Sequence, residues 1–345
     1  MSRRAATLLI AGLGVAVSLV VAWMVAVPYV VLVPGPTYNT LGSLSGKPII
    51  QITGRHTFPA SGHLNMVTVS YYGGPGYSPP FTIIDAIQAM FRPHEAVVPQ
   101  WELFPPGQTQ QQVVKQDSEQ MASSQQTATA AALCQLGIKF SVIDTITSTV
   151  KGLPAAGVLH AGDVVRAVDG KPVTCRSSAA RMIRARAPGQ QVVLTIIRAG
   201  RPMSITLKTK GYAGQPVVGV NVTESFSFPF RVTIRVGNIG GPSAGMMFAL
   251  ALIDKLTPAN LTGGRFIAGT GEIEVGGAVD PIGGIQQKMA AARAAGATVF
   301  LTPAANCPDT VGAVPPGLRL VKVSSLSGAI AALRALKQGT PVPSC

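Results

Sequence analysis

The sequence predicts an α+β protein preceded by one transmembrane helix. Three observations lead to this. An uninterrupted apolar run, residues 5–33, follows Arg3 and Arg4. Beyond it, short β-rich stretches such as residues 63–69 and 192–198 alternate with helical patterns. Glycine and proline, at 38 and 27 of 345 residues, supply the turns between them. This length accommodates two domains besides the helix. A hydrophobic content of 47% against 12% charged residues excludes a chain that is disordered throughout.

The part of the apolar run before Pro28 is long enough to cross a hydrocarbon core of about 30 Å. No lysine or arginine follows until Lys47, so the positive-inside bias leaves Met1 in the cytoplasm and everything after Pro34 outside. Val33-Pro34-Gly35-Pro36 reads as a stiff exit from the membrane. The alternative is a cleaved signal peptide. Its apolar region would be shorter, about 7–15 residues, and the only cleavage-like site is the weak Met24-Val25-Ala26.

The net charge is +14, with the densest basic cluster at Arg176, Arg181, Arg184 and Arg186. No aromatic residues interleave with it, which argues against nucleic acid as a partner. It reads as a solvated face, or as a surface near anionic head groups. Cys134, Cys175, Cys307 and Cys345 contain no CxxC pair, and His56, His63, His94 and His160 no HExxH, so no metal site or other cofactor is expected. The cysteines form two disulfides in an oxidising compartment, with Cys134–Cys175 and Cys307–Cys345 the local pairing, or remain four buried thiols.

Residues 49–69 read as short strands, 73–80 as a loop, and 83–91 and 118–133 as helices. Residues 137–210 form a distinct unit with Gly152-Leu153-Pro154-Ala155-Ala156-Gly157, Gly162-Asp163-Val164-Val165 and Val168-Asp169-Gly170-Lys171-Pro172-Val173 in order. A helix near 177–186 and strands at 192–198 and 203–208 follow. The unit resembles a PDZ domain of the bacterial kind. The resemblance implies peptide binding by strand addition, in a groove between the strand around 138–142 and the helix 177–186. Asp163 and Asp169 read as turn formers.

The chemistry concentrates in residues 230–303. A strand at 232–236 leads into Gly237-Asn238-Ile239-Gly240-Gly241-Pro242-Ser243-Ala244-Gly245, and an apolar helix follows at 246–256. Ser243 thus sits where a glycine-rich loop meets a helix start. Unpaired backbone N–H groups there can receive an oxyanion, and the flanking glycines admit a substrate backbone. Serine is also a favoured helix N-cap, which is the plainer reading. Lys288 lies on a second helix, where Gly284, Ile285, Ala291 and Ala292 are its neighbours at three and four positions. With no carboxylate among them, burial would lower its pKa towards that of a general base; a surface lysine is the plainer reading.

The ordered blocks Gly-Pro-Ser-Ala-Gly, Thr-Gly-Glu-Ile and Ile-Gly-Gly-x-x-x-Lys resemble the proteolytic domain of Lon proteases, over about residues 231–303 and more weakly to 336. The resemblance implies that Ser243 attacks the peptide carbonyl, Lys288 takes its proton and Thr270 hydrogen-bonds the lysine. Gly241, Pro242 and Ala244 would line the substrate and oxyanion site. No Gly-x4-Gly-Lys-Ser/Thr phosphate loop occurs, so the resemblance stops short of the ATPase.

Anchor, PDZ unit and Lon-type domain together are similar to the PDZ-containing, ATP-independent Lon-like serine proteases of the bacterial cell envelope. The expected organisation is an anchor at 1–34, an amino-terminal part at 35–136, a PDZ domain at 137–210 and the Lon-type domain at 211–345. The PDZ unit either adjoins the catalytic domain or is inserted within it. The implied partners are polypeptide substrates, membrane lipid around the first helix and, by family resemblance, five further copies in a hexamer. A catalytically silent PDZ scaffold at the membrane is the rival function.

Overall fold

Twenty-two residues without proline, Arg3–Met24, form helix α1. The structure, a computed structural model, describes residues 3–345. α1 is long and apolar enough to cross a membrane, and none of its described side chains is buried. At Pro28 the chain turns and enters strand β1 (Tyr29–Asn39), followed by β2 (Ile50–Thr53) and β3 (His63–Gly73). This corrects one expectation. Val33–Pro36 is no membrane exit but part of β1, antiparallel to β3, and the register slips between Pro34 and Thr37. Such a bulge is where a strand tolerates residues that cannot donate a ladder hydrogen bond.

Helix α2 (Ile83–Met90) starts at a Thr82/Asp85 capping box; β4 (Ala96–Pro99) and the short helix α3 (Gln100–Leu103) follow. Helix α4 runs from Gln110 to Gln135, longer at both ends than expected. Its first turns are mostly Gln, Lys and Asp, with Val113 and Val114 as an isolated apolar pair, and the capping box of Thr109 and Gln112 marks its start. Further along, α4 buries Met121, Ser124, Ala128, Ala131 and Ala132. These are mostly small residues that allow another helix to approach closely.

The next segment comprises β5 (Ser141–Thr149), β6 (Val164–Val168), α5 (Ala179–Arg184), β7 (Gln191–Arg198), β8 (Arg201–Lys208) and β9 (Val220–Ser227). The strands form one antiparallel sheet in the order β8–β7–β6–β5–β9. Ile146, Val165, Leu194 and Ile196 fill its core. Asp169 sits at a positive φ of 49° in the turn after β6, as its turn role requires. Asp163 does more than turn the chain. It is buried, accepts the His160 N–H and is held at 2.7 Å by Arg198, which keeps its carboxyl below the usual range.

β5 pairs along its length with the edge strand β9, whose Glu224 stands opposite Asp144, but with β6 only at Asp144 and Thr145; a cavity of about 400 Å³ lies between Val142 and the Ser178, Arg181 and Arg184 side of α5. The expected end of the unit at 210 lies in the hairpin of Lys210–Tyr212 with Gln215–Val217, and β9 joins the sheet from beyond it.

Strand β10 (Arg231–Ile234) pairs back with β2. Then come α6 (Gly245–Leu256), β11 (Phe266–Gly269), β12 (Glu272–Ile273), β13 (Val279–Asp280), α7 (Ile285–Ala294), β14 (Val299–Pro303), β15 (Arg319–Val323) and α8 (Leu326–Gln338). The main sheet has the order β15–β14–β11–β3–β1–β4. Three of its strands precede the antiparallel sheet in sequence and three follow it. The expected boundary at 34/35 falls inside β1, a hydrogen-bonded member of this sheet. α6 is buried from Gly245 to Asp254 and packs against α4 and α8. Both local disulfides form, Cys134–Cys175 and Cys307–Cys345.

Candidate active site

Glycines 237, 240, 241 and 245 let the loop after β10 fold tightly onto α4. The Gly241 N–H donates to the Asp117 carbonyl at 2.9 Å, and Ser124 Oγ donates to the Pro242 carbonyl at 2.9 Å. A Cβ on Gly245 would lie 2.7 Å from Ile273 Cγ2 and 3.0 Å from Ser124 Oγ, so only glycine fits there. The carbonyl of Ser243 accepts from the Gly271 N–H at 2.8 Å and from Thr270 Oγ1 at 3.0 Å. The serine is therefore fixed by its own backbone, and its side chain is left over. It does not cap α6, because the N-cap residue is Ala244.

The Ser243 hydroxyl is instead the acceptor of Lys288 Nζ at 2.9 Å. Lys288 lies in the first turn of α7 and also donates to Thr270 Oγ1 at 3.2 Å. Lys288 is 4% exposed and Thr270 fully buried. Burial lowers the Lys288 pKa from the ordinary 10.5 to about 8. Asn306 secures the approach to α7. It accepts from the Ile282 N–H at 2.9 Å and donates to the Ile282 carbonyl at 3.0 Å. Thr270, in turn, directly follows β11, a central strand of the main sheet.

Ser243 and Lys288 open onto a cleft of about 950 Å³ lined by Val69, Tyr71, Leu103, Asp117 and Met121 among others. β11 pairs with β3 only from His63 to Met66. From Val67 onward β3 has no strand partner on that side, and this stretch borders the cleft. An extended peptide can pair there. Of the residues expected at the oxyanion site, Gly241 has spent its N–H on Asp117 and Pro242 has none to give. The N–H groups of Ser243 and Ala244 make no hydrogen bond to the described residues. Among those residues no cluster of side chains could hold a metal ion.

Ser243, Lys288 and Thr270 are thus brought together, while Ser124, Asp117 and Asn306 support them unforeseen. Ser124 reaches Pro242 across 118 positions, a distance at which residue spacing carries no signal.

The family model of the Lon protease (S16) C-terminal proteolytic domain matches residues 233–330. Over these residues the chain is similar to a Lon-type proteolytic domain. A PDZ domain model matches residues 134–209. The Lon protease of Roseiflexus castenholzii is 48% identical over 69 residues, which is 20% of this chain and 8% of that protein. The Lon protease of Chloroflexus aggregans is 39% identical over 89 residues, 25% of this chain and 10% of that protein. The chain therefore spans about a tenth of the relatives it matches, all of it within the Lon-type domain. The PDZ unit is similar to the PDZ domain of the SdrC-like protein from Listeria innocua, at 24% identity and a TM-score of 0.22 over 23% of this chain and 90% of that one.

Proposed function

We propose that this protein is a membrane-anchored serine endopeptidase that cleaves unfolded or flexible polypeptides outside the cytoplasm without ATP. The observation that carries this reading is the 2.9 Å hydrogen bond from Lys288 to Ser243 in a site where burial favours the neutral amine. Neutral Lys288 takes the Ser243 proton as Oγ attacks the scissile carbonyl. The tetrahedral oxyanion forms beside the N–H groups of Ser243 and Ala244. The protonated lysine then returns the proton to the leaving amine, leaving an acyl-enzyme. A water molecule, deprotonated by the same lysine, releases the second product. Thr270 orients the amine.

An extended peptide held on the free edge of β9 beside α5 would present the substrate, and the PDZ unit would act as an insertion in a catalytic domain that includes the main sheet. α1 supports the anchor, and the arginines that open it together with the two disulfides support an extracytoplasmic side. The missing phosphate loop supports independence from ATP. A hexamer rests on family resemblance alone. The test is incubation of the full chain with an unstructured protein, with and without ATP. Cleavage without ATP that Ser243→Ala abolishes is expected. No cleavage by the wild type leaves the silent scaffold as the better reading.

A further inference from the structure

α1 leaves its apolar run against a particular end of the main sheet. Ala26 bridges Thr82, the Val27 N–H donates to the Phe81 carbonyl at 2.9 Å, and the Gln100 N–H donates to the Pro28 carbonyl at 2.9 Å. Tyr29 pairs with Pro99 and Val30 with Gly73, so the ends of three strands meet here. The surface around this exit is aromatic and wet: Tyr29, Tyr77 and Trp101 are 41%, 43% and 63% exposed. α2 packs against α1 and turns Ile87, Met90 and Phe91 outward. From position 71 to 91 the only charged residue is Asp85, and its carboxylate is tied into the capping box of α2.

We propose that this end of the sheet seats on the bilayer surface, with Tyr29, Tyr77 and Trp101 at the level of the lipid head groups. The inference rests on the anchor in the proposed function and goes beyond it, because an anchor alone would let the domain float on a tether. Here no tether exists: the chain passes from α1 into β1 within five residues, hydrogen-bonded on both sides. Tyr and Trp suit the interface, with an apolar body and a polar tip. The consequence concerns the cleft. Glu102 and Leu103, next to Trp101 on α3, form part of its wall, as do Ala96 and Val98 of β4. One side of the catalytic cleft then opens within about 10 Å of the head groups, and the substrates best placed to enter are polypeptide segments lying at the membrane surface.

The two tryptophans allow a direct test. The full chain is reconstituted in vesicles of phosphatidylcholine, either plain or brominated just below the head group. In a Trp23→Phe variant, Trp101 is the sole fluorophore, and a loss of about half its emission in the brominated vesicles is expected. Equal emission in both lipids overturns the docking. Trp101 shielded from both bromine and aqueous iodide means that protein covers the patch, which overturns it as well. The Trp101→Phe variant reports on α1 through Trp23. If Trp23 is also unquenched, the anchor itself fails; if Trp23 is quenched and Trp101 is not, only the docking fails.

Discussion

Lys288 Nζ meets Ser243 Oγ at 2.9 Å across 45 positions of sequence, with Thr270 Oγ1 as its second acceptor. The amine is thus buried with two hydroxyls and no carboxylate, and burial lowers its affinity for a proton.

On the proposed mechanism, Lys288→Met removes the base while keeping the shape of the side chain. Peptide cleavage should fall by about 10²–10⁴-fold. The domain should remain folded, since Met carries no buried charge, and its melting temperature should match or exceed that of the wild type near neutral pH. A clear fall in melting temperature would instead assign Lys288 a structural role.

The pH dependence follows from the same amine. Cleavage should rise as pH climbs through about 8, where Lys288 loses its proton. Stability should change in the same direction. The unfolded lysine titrates near 10.5 and the folded one near 8, so between these values the unfolded chain binds more protons and stability rises with pH. The penalty is fully present below about pH 8 and amounts to about 3 kcal/mol. Urea unfolding of wild type and Lys288→Met from pH 7 to 10 isolates it, because the mutant should lack this rise.

Thr270→Val keeps the shape of the side chain but leaves Lys288 one acceptor short and the Ser243 carbonyl one donor short. A loss of about 1–3 kcal/mol in positioning corresponds to roughly tenfold or more in kcat. Serine at this position should restore most of it. Steady-state kinetics of the Val and Ser variants, read beside each other, separate lost hydrogen bonding from lost packing.

Gly245 and Gly283 form a matched pair. A methyl at Gly245 would press on Ile273 and Ser124, whereas one at Gly283 meets nothing within 4 Å. Gly245→Ala should cost about 1–3 kcal/mol and displace the Ser243 loop. Gly283→Ala should have little effect on stability by comparison. Thermal melts and cleavage rates of the two variants check this directly.

The Cys134–Cys175 bond ties the end of α4 to the segment before α5. Opening it should cost about 2–4 kcal/mol. It should also loosen the antiparallel sheet from the main one. Hydrogen exchange of a Cys134→Ser/Cys175→Ser variant should speed up around α5 and β9 before it does around α6.

Much of this was legible beforehand because it is local. The apolar run made α1, the Ala-rich pattern marked the body of α4, and the PDZ-like blocks announced their turns in order. Ser243 and Lys288 stood out by the blocks around them rather than by their own surroundings. The failures are equally local in origin. Residues 33–36 looked like a linker because two prolines hide a bulged strand, and the start of α4 was missed because its opening turns are polar.

By itself, then, the sequence determined the chemistry on offer: an apolar helix, a glycine-rich loop with a serine, and a lysine without nearby anions. Only the tertiary structure decided what those groups do to one another. It left Ser243 free by giving the cap position to Ala244, and it joined strands from either side of the PDZ unit into one sheet. It also added β9 to the sheet beside β5. The physical reason is that helices and turns are specified within a few residues, whereas strand pairing, burial and a lowered lysine pKa depend on neighbours tens to hundreds of positions away.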